Sequence, residues 1–223
     1  MPNGGTDIWG GSLPMSVTVA FAVLMIISRI ADLQKFATML PACFVRWKEN
    51  VSLFNSVNIN RSKNRFARVM ILPFIIICAR FDLYRPAAVW AERMFGTDPF
   101  FKTLIVGGVF AAYLLLRELC VLCFRGKTTE NSKIQCARNC VYTFFISAVI
   151  LMLAAAGICS LFAVNQYITR KVLLWILAFT YTICLLRKTQ IFAHYRGFLA
   201  GISYLCTLEF LPTGLLIVSS LIF

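Results

Sequence analysis

The chain has 223 residues, 60% hydrophobic and 14% charged, with mean hydropathy +0.79. A soluble domain carries about 45–50% apolar and about 25% charged residues, and here the apolar residues gather in long runs, so an ordinary water-soluble fold is excluded and an all-α, polytopic integral membrane protein is expected. The net charge of +13 would suggest nucleic acid in a soluble protein. Beside membrane ends it reads first as orientation and contact with anionic lipid headgroups, so membrane lipids are the expected partners and no specific nucleic acid is called for.

Met1–Ser12 carries Asp7 and no Lys or Arg, so the basic region of a cleaved signal is missing and the first apolar run is expected to be a retained span. That run starts at Leu13, with Pro14 in the first turn where a missing N–H costs nothing. Its helical pattern continues past Arg29, Asp32 and Lys35 to Leu40, and Pro41 ends it, giving a first element at 13–40.

The stretch 41–65 is expected to be a basic cytoplasmic loop. From Arg46 to Arg68 the chain carries Arg46, Lys48, Arg61, Lys63, Arg65 and Arg68 against one acid, Glu49. Asn55, Asn58, Asn60 and Asn64 are weak helix formers and favour a loop over one continuous helix. Lipid headgroups are the simpler use of this patch; docking of RNA, a ribosome or an acidic partner is the sharper one.

Val69–Ala79 is unbroken apolar sequence of only 11 residues, about 16 Å as helix, and it contains Pro73. It crosses a bilayer only as 66–81 with Arg68 and Arg80 reaching outward; otherwise it is re-entrant. Charge counting favours crossing. If it crosses, alternate loops carry 16 Lys+Arg against 6; if it does not, the split is 10 against 12. The positive-inside rule then gives about six spans, the second of them short, in a single membrane domain with both termini outside the cytoplasm.

Pro86 opens a short expected helix, Ala87–Phe95; Trp90 and Tyr84 suit a membrane interface, so this helix is expected to lie flat on the membrane. Thr97-Asp98-Pro99 is a helix start with a capping side chain followed by proline, and the third span is expected at 100–124. Within it, Gly107 with Ala111 and Gly108 with Ala112 are small-xxx-small pairs that permit close helix approach. The fourth span is expected at 140–164, with Ala154, Ala155, Ala156, Gly157 and Ser160 as a packing surface. The fifth, 172–186, has only 15 residues between Arg170-Lys171 and Arg187-Lys188, which requires snorkelling or a thinned bilayer. The last is 198–223, with Gly197 and Gly201 at its start.

Four cysteines, Cys120, Cys123, Cys136 and Cys140, have the spacing of a zinc site. Cys43, Cys78, Cys159, Cys184 and Cys206 show that the chain also uses cysteine as a small apolar residue, and that reading is preferred, so neither a metal nor any other cofactor is expected. His194 has no acidic neighbour in sequence to orient it. A lipid-modifying enzyme built on His194 is not expected, and no hydrolase, P-loop or kinase motif occurs in the sequence, so no catalytic residue is assigned.

The polar oddity of the chain is Glu209, twelfth of the 26 residues of the last apolar run. A carboxylate at that depth is costly unless protonated and hydrogen-bonded or paired with a cation. Pro212 removes the N–H that would bond the Leu208 carbonyl, so a free carbonyl and a carboxyl stand side by side at a break in the helix. Glu209 and Pro212, with Tyr204 and Thr207, form an expected intramembrane docking centre. Arg117, Tyr113, Tyr142 and Tyr181 are internal partners that could equally satisfy the acid.

The run Arg187-Lys188-Thr189-Gln190-Ile191-Phe192 followed by Tyr204-Leu205-Cys206-Thr207-Leu208-Glu209-Phe210-Leu211-Pro212 resembles the C-terminal signature, LYLCTLEILPL-like, of a family of uncharacterised inner-membrane proteins of Bacteroidota. Phe210 stands where that pattern has an aliphatic residue. The resemblance implies a polytopic inner-membrane protein with no assignable enzyme activity and no known role for the signature positions. The expected function is a non-enzymatic subunit or accessory factor of an envelope complex, of the protein export or secretion kind, with other membrane subunits as partners. The alternative is a small ion- or proton-coupled transporter with Glu209 as the coupling residue.

Overall fold

The computed structural model describes residues 13–28, 57–96, 98–123 and 131–196. Among these residues every regular element is a helix. Helix α1 covers Leu13–Ile27 and ends in a turn at Ser28, whose hydroxyl donates to the Met25 carbonyl at 2.8 Å. The expected continuation from Arg29 to Leu40 lies outside the described residues.

Helices α2 (Val57–Val69) and α3 (Ile71–Arg80) form one helical path with a break at Met70. Pro73 explains the break. Its ring cannot donate to Val69 and would crowd that carbonyl, so the Val69–Pro73 bond is missing while its neighbours survive: Met70 N–H donates to Phe66 O at 3.0 Å and Phe74 N–H to Met70 O at 3.2 Å. Helix α2 corrects the expected loop from Val57 onward, because Asn58, Asn60 and Asn64 are all helical; residues 41–56 lie outside the described part. Each Asn disfavours a helix by well under about 1 kcal/mol. Against that, α2 buries Phe66, Ala67 and Met70 on Ile146 and Val149, and tertiary burial wins.

Helix α4 runs Arg85–Phe95 with Pro86 in its first turn and ends at Gly96, whose φ of +71° suits a residue without Cβ. Helix α5 runs Pro99–Cys123. Asp98 caps it, its Oδ1 accepting from Phe100 N–H at 3.3 Å. Asp98→Ala is expected to lower stability by about 0.5–2 kcal/mol, the usual loss for an N-cap, read as a lower unfolding temperature in mild detergent.

Helices α6 (Asn131–Leu161) and α7 (Gln166–Arg196) form the longest hairpin. Helix α6 starts well before the expected 140. Helix α7 passes through Arg170-Lys171 and Arg187-Lys188, the pairs expected to bound a span of 172–186. Helix α7 offers a stretch of 25 residues, Gln166–Gln190, long and apolar enough on average to cross a membrane, with both basic pairs inside it. Charges mark where side chains reach toward water, not where a helix ends, and Arg and Lys are good helix formers. Between the two helices, Val164 N–H bonds Cys159 O at 2.9 Å, closing α6, and Asn165 Oδ1 accepts from Tyr167 N–H at 3.0 Å, opening α7.

The core has three connected parts. Phe66, Ala67 and Met70 meet Ile146 and Val149; Cys78, Ala79 and Ala87 meet Val106; Ile77 meets Met152 and Leu173. These contacts fix the directions of the helices. The path α2–α3 runs alongside α6 in the same direction and does not double back, while α5 and α7 run the opposite way. One end of the bundle therefore gathers Arg80, the α4 segment, the start of α5 and the α6–α7 turn, and there Gln166 Nε2 donates to Arg80 O at 3.4 Å. We call it the Lys102 end and the opposite one the Lys63 end.

Three stretches, Pro99–Leu119, Val141–Leu161 and Gln166–Gln190, are long and apolar enough to cross a membrane, and a shorter apolar helix covers Ser16–Ile27. Their outward faces carry Leu115, Leu161, Trp175 and Phe179, all exposed. Apolar surface on this scale belongs against lipid rather than water.

Candidate docking site at the Lys63 end

Helix α2 carries its basic residues on different faces. Lys63 shares the stripe Phe66-Ala67-Met70, spaced i, i+3, i+4, i+7, and is 2% exposed. Arg65 and Arg68 are exposed, and Arg68 Nε donates to Asn64 O at 3.3 Å. Lys63 thus leaves the surface patch to which the sequence assigns it and joins the interior. Arg61 lies in α2 with its side chain outside the described residues; Arg46 and Lys48 lie outside them entirely.

A second interior cation comes from α7. Leu173, Thr180, Cys184 and Lys188 follow one face of that helix and are buried, Lys188 being 4% exposed. The Thr180 hydroxyl donates to Ile176 O at 2.7 Å. The facing part of α6 buries Thr143 and Ser147, so the interior toward this end is more polar than around Met152.

The two lysines lie at one depth. Ile77, Met152 and Leu173 share one cluster. At about 1.5 Å per residue, Lys63 lies about 21 Å from that cluster along α3–α2 and Lys188 about 22 Å along α7, in the same direction. Arg117, half-buried on α5, lies about 16 Å beyond Val106 on the same course. Burying an ammonium or guanidinium is tolerable only with oriented acceptors or a counter-charge, so acceptors must face these cations at this level. The sequence carries a signal for it: Lys188 continues the four-residue spacing of Thr180 and Cys184, and Lys63 that of Phe66-Ala67-Met70. Reading Lys188 as the edge of a short span hides the first, and reading α2 as a loop hides the second.

Of the remaining expected positions, Glu209, Pro212, Tyr204 and Thr207 lie outside the described residues. Cys120 and Cys123 end α5, Cys136 and Cys140 lie in the early turns of α6, and His194 lies near the end of α7; the side chains of all five are outside the described part. Among the described residues no three metal-ligating side chains come together. Gly107 packs on Ile75, whose side chain would lie 3.6 Å from an added Cβ, whereas Gly108 faces open space, with Ala111 and Ala112 exposed beside it. Ala155 and Ala156 pack against the Met152 cluster, and Ala154, Gly157 and Ser160 face outward.

At the Lys102 end, the Lys102 ammonium lies 2.5 Å from Asp82 Oδ1 and 3.7 Å from Glu92 Oε1. It ties the α3–α4 turn and α4 to the start of α5.

Apolar outward faces, an all-helical bundle and a charged layer held inside one end define a membrane-embedded helical protein. Residues 15–220 match the family described as a domain of unknown function, DUF4271, and the chain belongs to that family. No curated protein and no solved structure matches it significantly.

Proposed function

We propose that the chain is a non-enzymatic integral subunit or accessory factor of an envelope complex in a bacterial inner membrane, of the kind that serves protein export or secretion. The observation that carries this reading is the uncovered small-residue face of α5. Gly108, Ala111 and Ala112 are exposed, and nothing stands within 4 Å of a Cβ added at Gly108. The next glycine, Gly107, is already used inside the bundle. Small residues in membrane helices gain most when another helix backbone approaches closely, and a face of this type on the outside suits a helix from another subunit.

The proposed arrangement has six spans, with the Lys63 end in the cytoplasm and both termini on the opposite side. It is supported by the joint placement of residues 80–102 and 165–171 at the Lys102 end, the grouping that gives the 16-to-6 division of basic residues. Glu209 completes this reading. In this reading Glu209, which lies outside the described residues, is the intramembrane acid that serves a partner helix.

A photoreactive residue at Ala111, activated in native membranes, is expected to capture another membrane protein. Capture of lipid alone, with the protein migrating alone in mild detergent, overturns the reading. Glu209→Gln is expected to reduce co-purification of the partner without loss of membrane accumulation. Loss of a proton-linked flux by a folded Glu209→Gln protein would instead select the transporter.

A further inference from the structure

Helix α4 has an apolar arc longer than the bundle that covers it. At about 100° per residue, Ala87, Ala88, Trp90, Ala91, Met94 and Phe95 fall within about 160° of its circumference, and Arg85, Glu92 and Arg93 lie outside that arc. The bundle buries Ala87, Ala88 and Ala91. On the same arc, Trp90 is 56%, Met94 66% and Phe95 50% exposed. The second half of α4 therefore overhangs the bundle with its apolar side still facing the way the buried half faces.

The roll of the helix is fixed on both sides. Glu92 on the polar side meets Lys102 at 3.7 Å. Phe95 on the apolar side stacks on Phe101 with ring centroids 4.8 Å apart and planes 7° apart. Phe101 and Leu104 are exposed in the first turns of α5, in the stretch Pro99–Leu119 that is apolar and long enough to span. The overhang is thus continuous with the outward face of a spanning helix at the point where that helix begins.

We propose that the overhanging half of α4 is a lipid-binding interfacial anchor. Trp90, Met94 and Phe95 seat at the boundary of headgroups and acyl chains, and Arg85 and Arg93, both exposed, meet phospholipid phosphates. Three features select the bilayer as the occupant. The arc is level with the start of a span and continuous with its apolar face. A Trp stands at that level, where amphipathic rings are favoured. Two guanidinium groups flank the arc on its polar side, as they do in helices that lie in an anionic interface. The inference rests on the membrane reading of the fold and is independent of any partner of α5 or of Glu209.

The test is depth-dependent quenching of Trp90 in phosphatidylglycerol–phosphatidylcholine vesicles at low protein-to-lipid ratio, with Trp9, Trp47 and Trp175 changed to Phe. Lipids brominated near the carbonyl end of the chain are expected to remove most of the Trp90 emission, lipids brominated near the chain terminus little of it, and aqueous iodide little of it. Quenching by iodide and by no bromolipid overturns the proposal, as does shielding that appears only when crowding brings copies together. If the single-Trp protein does not fold, the difference in quenching between the natural protein and Trp90→Phe carries the same readout. No excess shallow quenching in the natural protein then overturns it.

Discussion

Phe74→Ala is expected to be the most damaging single truncation in the described bundle. Phe74 packs against all three parts of the core: the Phe66–Ile146 group, the Cys78–Val106 group and the Ile77–Met152–Leu173 group. Its ring lies 5.2 Å from that of Phe110 and 5.4 Å from that of Phe145, with the Phe110 and Phe145 rings 6.3 Å apart. It is therefore the point where α3, α5 and α6 hold one another. Removing a fully buried Phe side chain costs about 3–5 kcal/mol in water-soluble cores, part transfer and part cavity, and Phe74 is partly buried. In a bilayer the transfer part shrinks, because lipid is as apolar as the core, but lost van der Waals contact remains and drives helix association there. We expect a loss near the lower end of that range, measured by reversible denaturation in mixed micelles. Phe74→Leu, which keeps most of the volume, is expected to cost about 1 kcal/mol. A loss below about 1 kcal/mol for Phe74→Ala would mean the three groups do not share this residue.

How much of this is legible in the sequence depends on what marks each boundary. Helices α4 and α5 are legible because backbone chemistry delimits them: Pro86 and Pro99 can sit only in a first turn, Asp98 supplies a cap, and Gly96 supplies a stop. The starts of α6 and α7 and the far end of α7 are not legible. There hydropathy falls while the helix continues, and a hydropathy pattern reports the solvent, not the hydrogen-bond ladder. The same blindness hides α2. Its Asn and Lys residues look like loop, and its helical stripe consists of Phe66, Ala67 and Met70 with a lysine as the fourth member. Tertiary contact with α6 turns a weak helix former into a helix, and no local preference announces it. The proline in Val69–Ala79 is legible as a break; that the chain continues past it in the same direction follows from Phe66 and Met70 meeting Ile146 and Val149 while Ile77 meets Met152, further along α6. The proposed docking centre around Glu209 rests in the sequence on an isolated acid beside the helix break at Pro212. The interior placement of Lys63 and Lys188 shows in the sequence only as a continuation of two apolar stripes, and the charged composition around each lysine hides it.

That placement leads to a second large effect, in a comparison confined to one helix. Lys63, Arg65 and Arg68 look equivalent in the sequence, three cations within two turns of α2. Lys63→Glu is expected to abolish accumulation of folded protein. It replaces a buried ammonium with a carboxylate in a layer whose remaining partners are arranged for a cation, and disrupting a buried charge arrangement in this way costs about 3–5 kcal/mol or more. That is a large share of a total stability of about 5–15 kcal/mol. Lys63→Met keeps the stem that packs beside Phe66 and Ala67 and removes only the charge, so it should cost less than the reversal yet remain measurable, since whatever acceptors face the ammonium lose their donor. Arg65→Glu and Arg68→Glu sit on the exposed face and should change stability by no more than about 0.5 kcal/mol. The readout is the fraction of monodisperse protein after mild extraction, followed by unfolding in mixed micelles. Equal effects at the three positions would place Lys63 back on the surface. A loss confined to Lys63, with Lys188→Glu behaving the same way on α7, would establish one interior charged layer shared by the two helices that flank α6. It would also decide how Glu209→Gln should be read, because a carboxyl that neutralises Lys63 or Lys188 must lower stability when it is neutralised, whereas one that serves only a partner helix must leave the isolated bundle as stable as before.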